Sequence, residues 1–212
     1  MKTVELLSCC RSTKVKKFIF ASSSAIYGNV ERLPTKENVA SNPQSPYGLQ
    51  KYVCELFMKQ FSDLYGIDCT ALRLFNVYGP GCTGDNPYAT AIAAWCDKLK
   101  SKSPLRSDGD GKQTRDMVYV EDVADAMIAA SNSKSGGYEC YNVASGESIS
   151  NNAILDLLDS AVGKFECVSA PERPGDVKHT LASIDKIKRE LAWEPKYSFG
   201  EGMKETIKWW EL

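Results

Sequence analysis

Tyr47 and Lys51 are the residues whose types and spacing first indicate chemistry. They stand four positions apart in SPYGLQK (45–51), directly after Pro46, which can open a helix. On a helix, side chains at i and i+4 share a face and lie one turn apart. A neighbouring ammonium favours the phenolate and lowers the tyrosine pKa from about 10, as base catalysis near neutral pH requires. The alternative for so common a spacing is a solvated pair on a helix surface.

In two places an apolar stretch is followed directly by polar residues. In FASSSAIYG (20–28) these are the serines, and in LRLFNVYGPG (72–81) the first of them is Asn76. In open parallel sheets, ligands bind just beyond the carboxyl ends of the strands. The serine run and Asn76 are therefore predicted to face one crevice, where they can hydrogen-bond a reacting hydroxyl or carbonyl. Taken alone, a serine run is also typical of a turn or helix cap, and Asn before Gly-Pro is typical of a loop.

Two arginines lie in polar stretches that could hold an anion. Arg115 belongs to GDGKQTRDMVYVEDVADA (109–126), and Arg173 to PERPGDV (171–177). Arginine can bind phosphate in a bidentate manner. Either one alone could equally be an ordinary surface residue.

The overall charge excludes some classes of partner. The 212 residues include 26 Lys and Arg against 27 Asp and Glu, a formal net charge of −1. No global field recruits nucleic acid or an anionic membrane, so an anionic ligand must be held by local positive groups. The length and the 43% hydrophobic content suit a folded globular protein.

The cysteines and the N-terminus favour a cytoplasmic protein. Eight cysteines without any C-x-x-C pair, together with the single His179, offer no plausible zinc set. We interpret them as reduced thiols, since disulfide scaffolds are usually much smaller. Glu5 interrupts an apolar stretch too short for a signal peptide, and no run approaches the roughly 20 apolar residues of a membrane span.

Hydrophobic periodicity predicts helices alternating with strands. This pattern is typical of a parallel sheet with both faces covered. The predicted helices are 3–11, Pro46 to about 65, 87–101 and 121–132, and the predicted strands are 15–22, 68–75 and one within 136–144. The helix after Pro46 is predicted to end at Gly66 and to bury one stripe formed by Val53, Leu56, Phe57, Gln60, Phe61 and Leu64.

The residues from 145 onward predict a smaller, mainly helical lobe. It contains a helix around Ile154 and Leu158, a short strand in FECVSA (165–170), and the helical stretches ASIDKIKRELAW (182–193) and GEGMKETIKWW (200–210). We therefore divide the chain into two parts, a sheet-containing part at 1–144 and the C-terminal lobe at 145–212. The first part includes a segment at about 79–115 that belongs to the substrate lobe.

Together these stretches resemble the extended short-chain dehydrogenase/reductase family, in its NAD-dependent nucleotide-sugar epimerase/dehydratase branch. The strings S-S-S-A-x-Y-G, Y-x-x-x-K, R-x-F-N-x-Y-G-P, G-D-G-x-Q-x-R-D and R-P-G-D appear in family order from residue 3 to about 210. The resemblance implies a partial Rossmann-like parallel sheet with flanking helices, plus a smaller C-terminal substrate-binding lobe. It also implies NAD as cofactor, a nucleotide sugar as substrate and a homodimer formed through the helix containing Tyr47 and its neighbour. The alternative for a truncated sheet is a dimer formed through the sheet edge.

The resemblance further implies roles for individual residues. Tyr47 would be the general acid/base, Lys51 would hold the nicotinamide ribose and depress the Tyr47 pKa, and Ser23 would be the hydroxyl residue four positions before the tyrosine of Y-G. Phe75 would lie near the nicotinamide. The diphosphate and sugar would be held by Asn76, Arg115, Arg173 and Asp176.

The resemblance also bears on the reaction. The 4,6-dehydratases carry Asp-Glu directly after the catalytic hydroxyl residue, whereas this chain has Ser24-Ala25, and Ala25 stands where GDP-fucose synthases carry a cysteine. Epimerisation is the simplest remaining chemistry, and GDNPYATAIAAW (84–95) is most similar to epimerases of UDP-N-acetylhexosamines. A UDP-hexose or UDP-N-acetylhexosamine 4-epimerase is the first hypothesis. The alternatives are a dehydratase, a reductase or a non-catalytic sugar-nucleotide-binding or interaction module.

One departure from the family pattern concerns the cofactor. The family begins with a strand and a G-x-x-G-x-x-G turn that binds the dinucleotide pyrophosphate, and this chain contains no such string. The alignment places Thr3 in the helix before the family's fifth strand. We therefore expect a fragment or one piece of a split protein, with strand 15–22 at a sheet edge and weak NAD binding by the isolated chain.

Overall fold

The computed structural model describes residues 2–85, 89–133, 136–172 and 177–212. The strands are β1 (Lys17–Ser23), β2 (Asp68–Leu74), β3 (Asn76–Tyr78), β4 (Leu105–Asp108), β5 (Thr114–Tyr119), β6 (Tyr138–Val143), β7 (Ser148–Ser150) and β8 (Cys167–Ala170). The helices are α1 (Lys2–Ser12), α2 (Pro46–Tyr65), α3 (Ala91–Lys100), α4 (Val120–Asn132), α5 (Asn151–Val162), α6 (Asp185–Leu191) and α7 (Phe199–Trp210), with a 3-10 turn at Ser24–Ile26.

The chain divides into two compact units, each built from several stretches of sequence. Unit 1 comprises Met1–Phe75, Val123–Val143 and Ala182–Glu194; unit 2 comprises Asn76–Asp122, Ala144–Leu181 and Pro195–Leu212. The division into 1–144 and 145–212 that the sequence suggests stays a prediction.

Unit 1 contains a parallel sheet in the order β1-β2-β6. Lys17 pairs with Asp68 at one end of β1, and Ser23 pairs with Leu74 at the other. The predicted parallel sheet with flanking helices is confirmed. Among the described strands, β1 pairs with β2 alone and lies at an edge of this sheet.

Helix α2 is bounded by its capping residues. The Ser45 side chain accepts a hydrogen bond from Gly48 N, Pro46 occupies the first turn, and Gly66 ends the helix in the left-handed conformation at φ 66°. The predicted buried stripe is wrong in part, because Leu56 is 49% and Leu64 is 64% exposed. The face that α2 buries instead contains Gly48, Cys54, Glu55, Met58 and Ser62.

Unit 2 holds a second core between helices and short strands. Strand β5 pairs in parallel with β3 and antiparallel with β7, while β4 and β8 form a separate parallel pair. Helices α3, α5 and α7 pack on this core through Ile92, Trp95, Ile154, Leu158, Met203 and Trp210.

The C-terminal residues differ from the predicted helical lobe. They contribute an additional strand, β7, and their helix α6 belongs to unit 1, whereas β8 lies within the predicted strand 165–170. Strands β3, β4, β5 and β7 are not predicted from the sequence. No helix in the described part of the chain is long and apolar enough to cross a membrane.

Candidate functional site

The carboxyl end of β1 carries the serines singled out from the sequence. Ser22 and Ser23 are the last residues of β1, and both are buried. Ser23 caps the following 3-10 turn, because its Oγ accepts a hydrogen bond from Ala25 N at 3.2 Å. The serine run is therefore both the end of a parallel strand and a turn cap.

Helix α2 brings a tyrosine and a lysine to this end of β1. Lys51 Nζ donates to the carbonyl oxygen of Ala21 at 2.7 Å and lies 5.7 Å from the ring centroid of Tyr47. It also lies 4.8 Å from the ring centroid of Phe20. The four-residue spacing thus places ammonium and phenol on one helix face, next to the strand that ends in Ser23.

Burial changes the proton affinity of this lysine. Removal from water disfavours the charged form, which lowers the pKa of Lys51 below its ordinary value. Lys51 is half-buried, and its hydrogen bond to Ala21 satisfies one of its three N–H donors. A half-buried ammonium with remaining donors can bind a further oxygen, such as a phenolate or a sugar hydroxyl.

Gly48 allows α2 to approach the turn closely. A Cβ built at Gly48 would lie 2.5 Å from the carbonyl oxygen of Ala25 and 3.2 Å from Cβ of Pro43. Only glycine permits this separation without movement of the backbone. Because Gly48 directly follows Tyr47, this approach also sets the position of the tyrosine.

A buried carboxylate, which the sequence analysis missed, lies on the same face of α2. Glu55 accepts hydrogen bonds from Ser22 Oγ at 2.5 Å, from Arg73 Nη2 at 2.7 Å and from Tyr138 Oη at 2.9 Å. The signal was available, since Glu55 follows Lys51 by the same four residues that separate Lys51 from Tyr47.

Phe75 lies just beyond β2 and is buried. Its N–H donates to the carbonyl oxygen of Val143 at 3.0 Å, and its ring centroid lies 6.5 Å from that of Tyr27. Desolvation raises the pKa of Tyr27 well above its ordinary value, so its hydroxyl stays protonated and donates to Asn142 Oδ1.

Unit 2 brings Asn76 and Arg115 to one cavity of about 380 Å³. Asn76 Nδ2 donates to the carbonyl oxygen of Asp116 at 3.2 Å, and Arg115 Nη1 donates to the carbonyl oxygens of Thr114 and Lys178 at 3.1 and 3.2 Å. Trp95, Lys98, Gln113 and Asn151 also line this cavity. Arg106 and Asp108, which form an ion pair, belong to the lining as well, so three cationic side chains, one carboxylate and several amides surround the cavity. This set suits a polar, anionic ligand.

Two of the predicted site residues, Arg173 and Asp176, lie outside the described residues. Across the stretches that the structure describes, no group of His, Cys, Asp and Glu could hold a metal ion.

Comparison with known proteins decides the family. Residues 1–144 match the model of the NAD dependent epimerase/dehydratase family. The chain belongs to that family. Its members are enzymes that use NAD, and the predicted Rossmann-like class is confirmed by solved structures of the family.

Several relatives are similar over nearly the whole chain. A UDP-glucuronate 4-epimerase of Thermodesulfobacterium geofontis is 36% identical over 210 residues, which cover 98% of this chain and 63% of the relative. A UDP-N-acetylglucosamine 4-epimerase structure from Methanobrevibacter ruminantium M1, in complex with UDP-N-acetylmuramic acid, is 37% identical at a TM-score of 0.92, covering 99% of this chain and 67% of that one.

A UDP-glucose 4-epimerase structure from Thermotoga maritima with UDP-glucose is 35% identical, again at a TM-score of 0.92, covering 99% of this chain and 68% of that one. This member of the family thus spans about two thirds of the length of its relatives. The half-buried Lys51 ammonium beside the Tyr47 ring offers a hydrogen-bond donor and an aromatic ring, two kinds of group that suit a ribose and a nicotinamide.

Proposed function

We propose that this chain carries the catalytic and sugar-nucleotide-binding residues of a 4-epimerase acting on a UDP-hexose or UDP-N-acetylhexosamine. The observation that carries the proposal is the position of Lys51. Its ammonium is anchored on Ala21 at the carboxyl end of β1 and lies beside the Tyr47 ring. The cation and the phenol thereby lie beside the strand that ends in Ser23, at the end where a parallel sheet binds ligands.

The proposed roles follow from the chemistry of these groups. Tyr47 accepts the proton of the sugar 4-hydroxyl and later returns it, while the Lys51 ammonium stabilises the phenolate. Ser23 donates a hydrogen bond to the reacting sugar oxygen. Bound NAD supplies a reversible hydride acceptor for the sugar C4, and Phe75 contributes an apolar wall near the nicotinamide.

The cavity in unit 2 is the proposed site of the nucleotide diphosphate. Its volume of about 380 Å³ falls within the range of small-molecule sites. Arg115 and Asn76 would bind phosphate and sugar oxygens there, with Arg173 and Asp176 as further proposed ligands from outside the described residues. The UDP-sugars named for the relatives support a uridine diphosphate group.

Two measurements test the proposal. The first is calorimetry with NAD⁺, and the second is turnover of UDP-glucose or UDP-N-acetylglucosamine in the presence of NAD⁺. Because the chain contains no Gly-rich turn, we expect weak but saturable NAD⁺ binding that Lys51→Ala weakens further, and slow turnover that Tyr47→Phe abolishes. Tyr65→Phe is the matched control, since Tyr65 is an exposed tyrosine at the other end of α2. A folded chain that binds UDP-sugars without turning them over would refute catalysis and leave a sugar-nucleotide-binding module.

We further propose that the chain forms a homodimer through α2. The side chains of Leu49, Leu56 and Leu64 are 52%, 49% and 64% exposed, and Val53 and Phe57 lie between them along the helix. Burying this stripe against a second copy would remove apolar area from water. Light scattering of the wild-type chain and of Leu56→Glu tests it: a wild-type monomer, or a dimer unchanged by the substitution, would refute this interface.

A further inference from the structure

Glu55 has no part in the proposed chemistry, although it lies in the same row of α2 as Tyr47 and Lys51. Residues spaced by four share a helix face, so the three side chains follow one another along the surface that meets the sheet. Glu55 is only 2% exposed. A buried carboxylate is costly unless it is paired and hydrogen-bonded, so its partners must explain its position.

Each strand of the unit 1 sheet supplies one donating side chain to this carboxylate. Ser22 on β1 donates to Oε1 and Tyr138 on β6 to Oε2, while Arg73 on β2 donates from Nη2 to Oε2 and from Nε to both oxygens. Ser22 and Arg73 are paired in the strand register. One side chain of α2 is thus bonded to all three strands.

Glu55 and its partner Arg73 also reach both ends of the 3-10 turn that Ser23 caps. Glu55 holds Ser22, the residue before Ser23. Arg73, held by Glu55, donates from Nη1 to Tyr27 Oη at 2.9 Å, at the far end of the 3-10 turn. The ion pair between Arg73 and Glu55 therefore braces the turn on both sides.

We propose that Glu55 is a positioning residue, which fixes the end of β1 and the Ser23 hydroxyl relative to Tyr47 and Lys51 through its hydrogen bond from Ser22. This role of Glu55 rests on the function proposed above for Ser23, Tyr47 and Lys51. Lys51 binds Ala21 and Glu55 binds Ser22, so successive turns of α2 anchor successive residues of β1. A carboxylate that only neutralised Arg73 would not need the bond from Ser22.

Two substitutions separate positioning from general stabilisation. Ser22→Ala and Tyr138→Phe each remove one hydroxyl donor from the Glu55 carboxylate and leave the Arg73 pair in place. Only the first removes the bond between Glu55 and the end of β1. Tyr138→Phe is therefore a matched control for the loss of a hydrogen bond to the same acceptor.

Amide hydrogen exchange of the full chain is the decisive measurement. The reporters are Ala25 N, which donates to Ser23 Oγ, and Tyr27 N, which donates to Ser24 O; Gly66 N, bonded to Ser62 O at the end of α2, is the reference. Relative to Gly66, we expect the turn amides to exchange about tenfold faster in Ser22→Ala and within about twofold of wild type in Tyr138→Phe. Equal acceleration in both variants, or none in either, overturns the proposal.

Turnover adds a readout that separates this proposal from the proposed function. We expect Ser22→Ala to lower kcat about tenfold with KM unchanged, and Tyr138→Phe to leave both within about twofold. A wild-type chain without turnover would remove the epimerase proposal, whereas the exchange comparison would still decide whether Glu55 holds the turn.

Discussion

Replacing Gly48 with alanine tests whether close packing of α2 on the turn after β1 sets the geometry of the candidate site. The new Cβ would lie 2.5 Å from the carbonyl oxygen of Ala25. A backbone oxygen cannot swing aside like the end of a long side chain. Helix and turn must therefore separate by about 0.9 Å to reach an ordinary contact of 3.4 Å.

The expected effect on stability is small, whereas the effect on turnover is large. Alanine favours a helix over glycine by about 1 kcal/mol. Overpacking costs about 1–3 kcal/mol, so the net loss in the free energy of unfolding is about 0–2 kcal/mol. Tyr47 moves with the helix, and a misplacement on the order of 1 Å can cost about 100-fold in rate.

Urea unfolding and UDP-sugar turnover of Gly48→Ala measure the two effects separately. Gly200→Ala is the control, because Gly200 is also helical and a Cβ there would meet nothing within 4 Å. We expect the control to be at least as stable and as active as the wild type. A Gly48→Ala chain that matches the control in both assays would show that the close approach does not determine the position of Tyr47.

Three further predictions concern charged residues. Because burial lowers the pKa of Lys51, its ammonium loses its proton at a lower pH than that of an ordinary lysine. NAD⁺ affinity, measured by calorimetry, should therefore decrease as the pH rises through the Lys51 pKa. Lys51→Arg should shift this decrease in affinity to higher pH, because arginine keeps its charge. Arg115→Lys keeps the charge but removes the planar fork, and should weaken UDP binding about tenfold in the same assay. Arg73→Met leaves the buried Glu55 charge without its ion-pair partner and should lower the free energy of unfolding in urea by about 3–5 kcal/mol. The control Lys59→Ala breaks the exposed pair with Asp63 and should lower it by less than about 0.5 kcal/mol. A flat pH profile, undiminished UDP affinity or equal stability losses would contradict these predictions in turn.

Long elements were predictable from the sequence because they carry their own start and stop signals. Ser45, Pro46 and Gly66 bound α2 as cap, first-turn and end residues, and the structure has the helix between them. Strands β3 and β7 span three residues each, which is too short for any periodicity to appear. Their pairing with β5 depends on neighbours far away in the sequence.

The candidate site was only partly predictable for a related reason. The spacing of Tyr47 and Lys51 is a local property of one helix, so the sequence was enough to place both on one face. The roles of neighbouring serines are not local. Ser22 is bonded to Glu55 and Ser23 caps the turn, and only the packing of α2 on β1 distinguishes them.

Helix α2 shows why an apolar pattern can give the wrong buried face. Periodicity treats Leu56 and Leu64 as core residues and Glu55 as a surface residue. Within this chain the opposite holds, because donating side chains from three strands offset the burial of the Glu55 carboxylate, while the leucines remain exposed. An apolar stripe left outside the core of its own chain is typical of a surface that another molecule covers. The same helix thus presents one face to the proposed reaction and the other to a proposed second subunit.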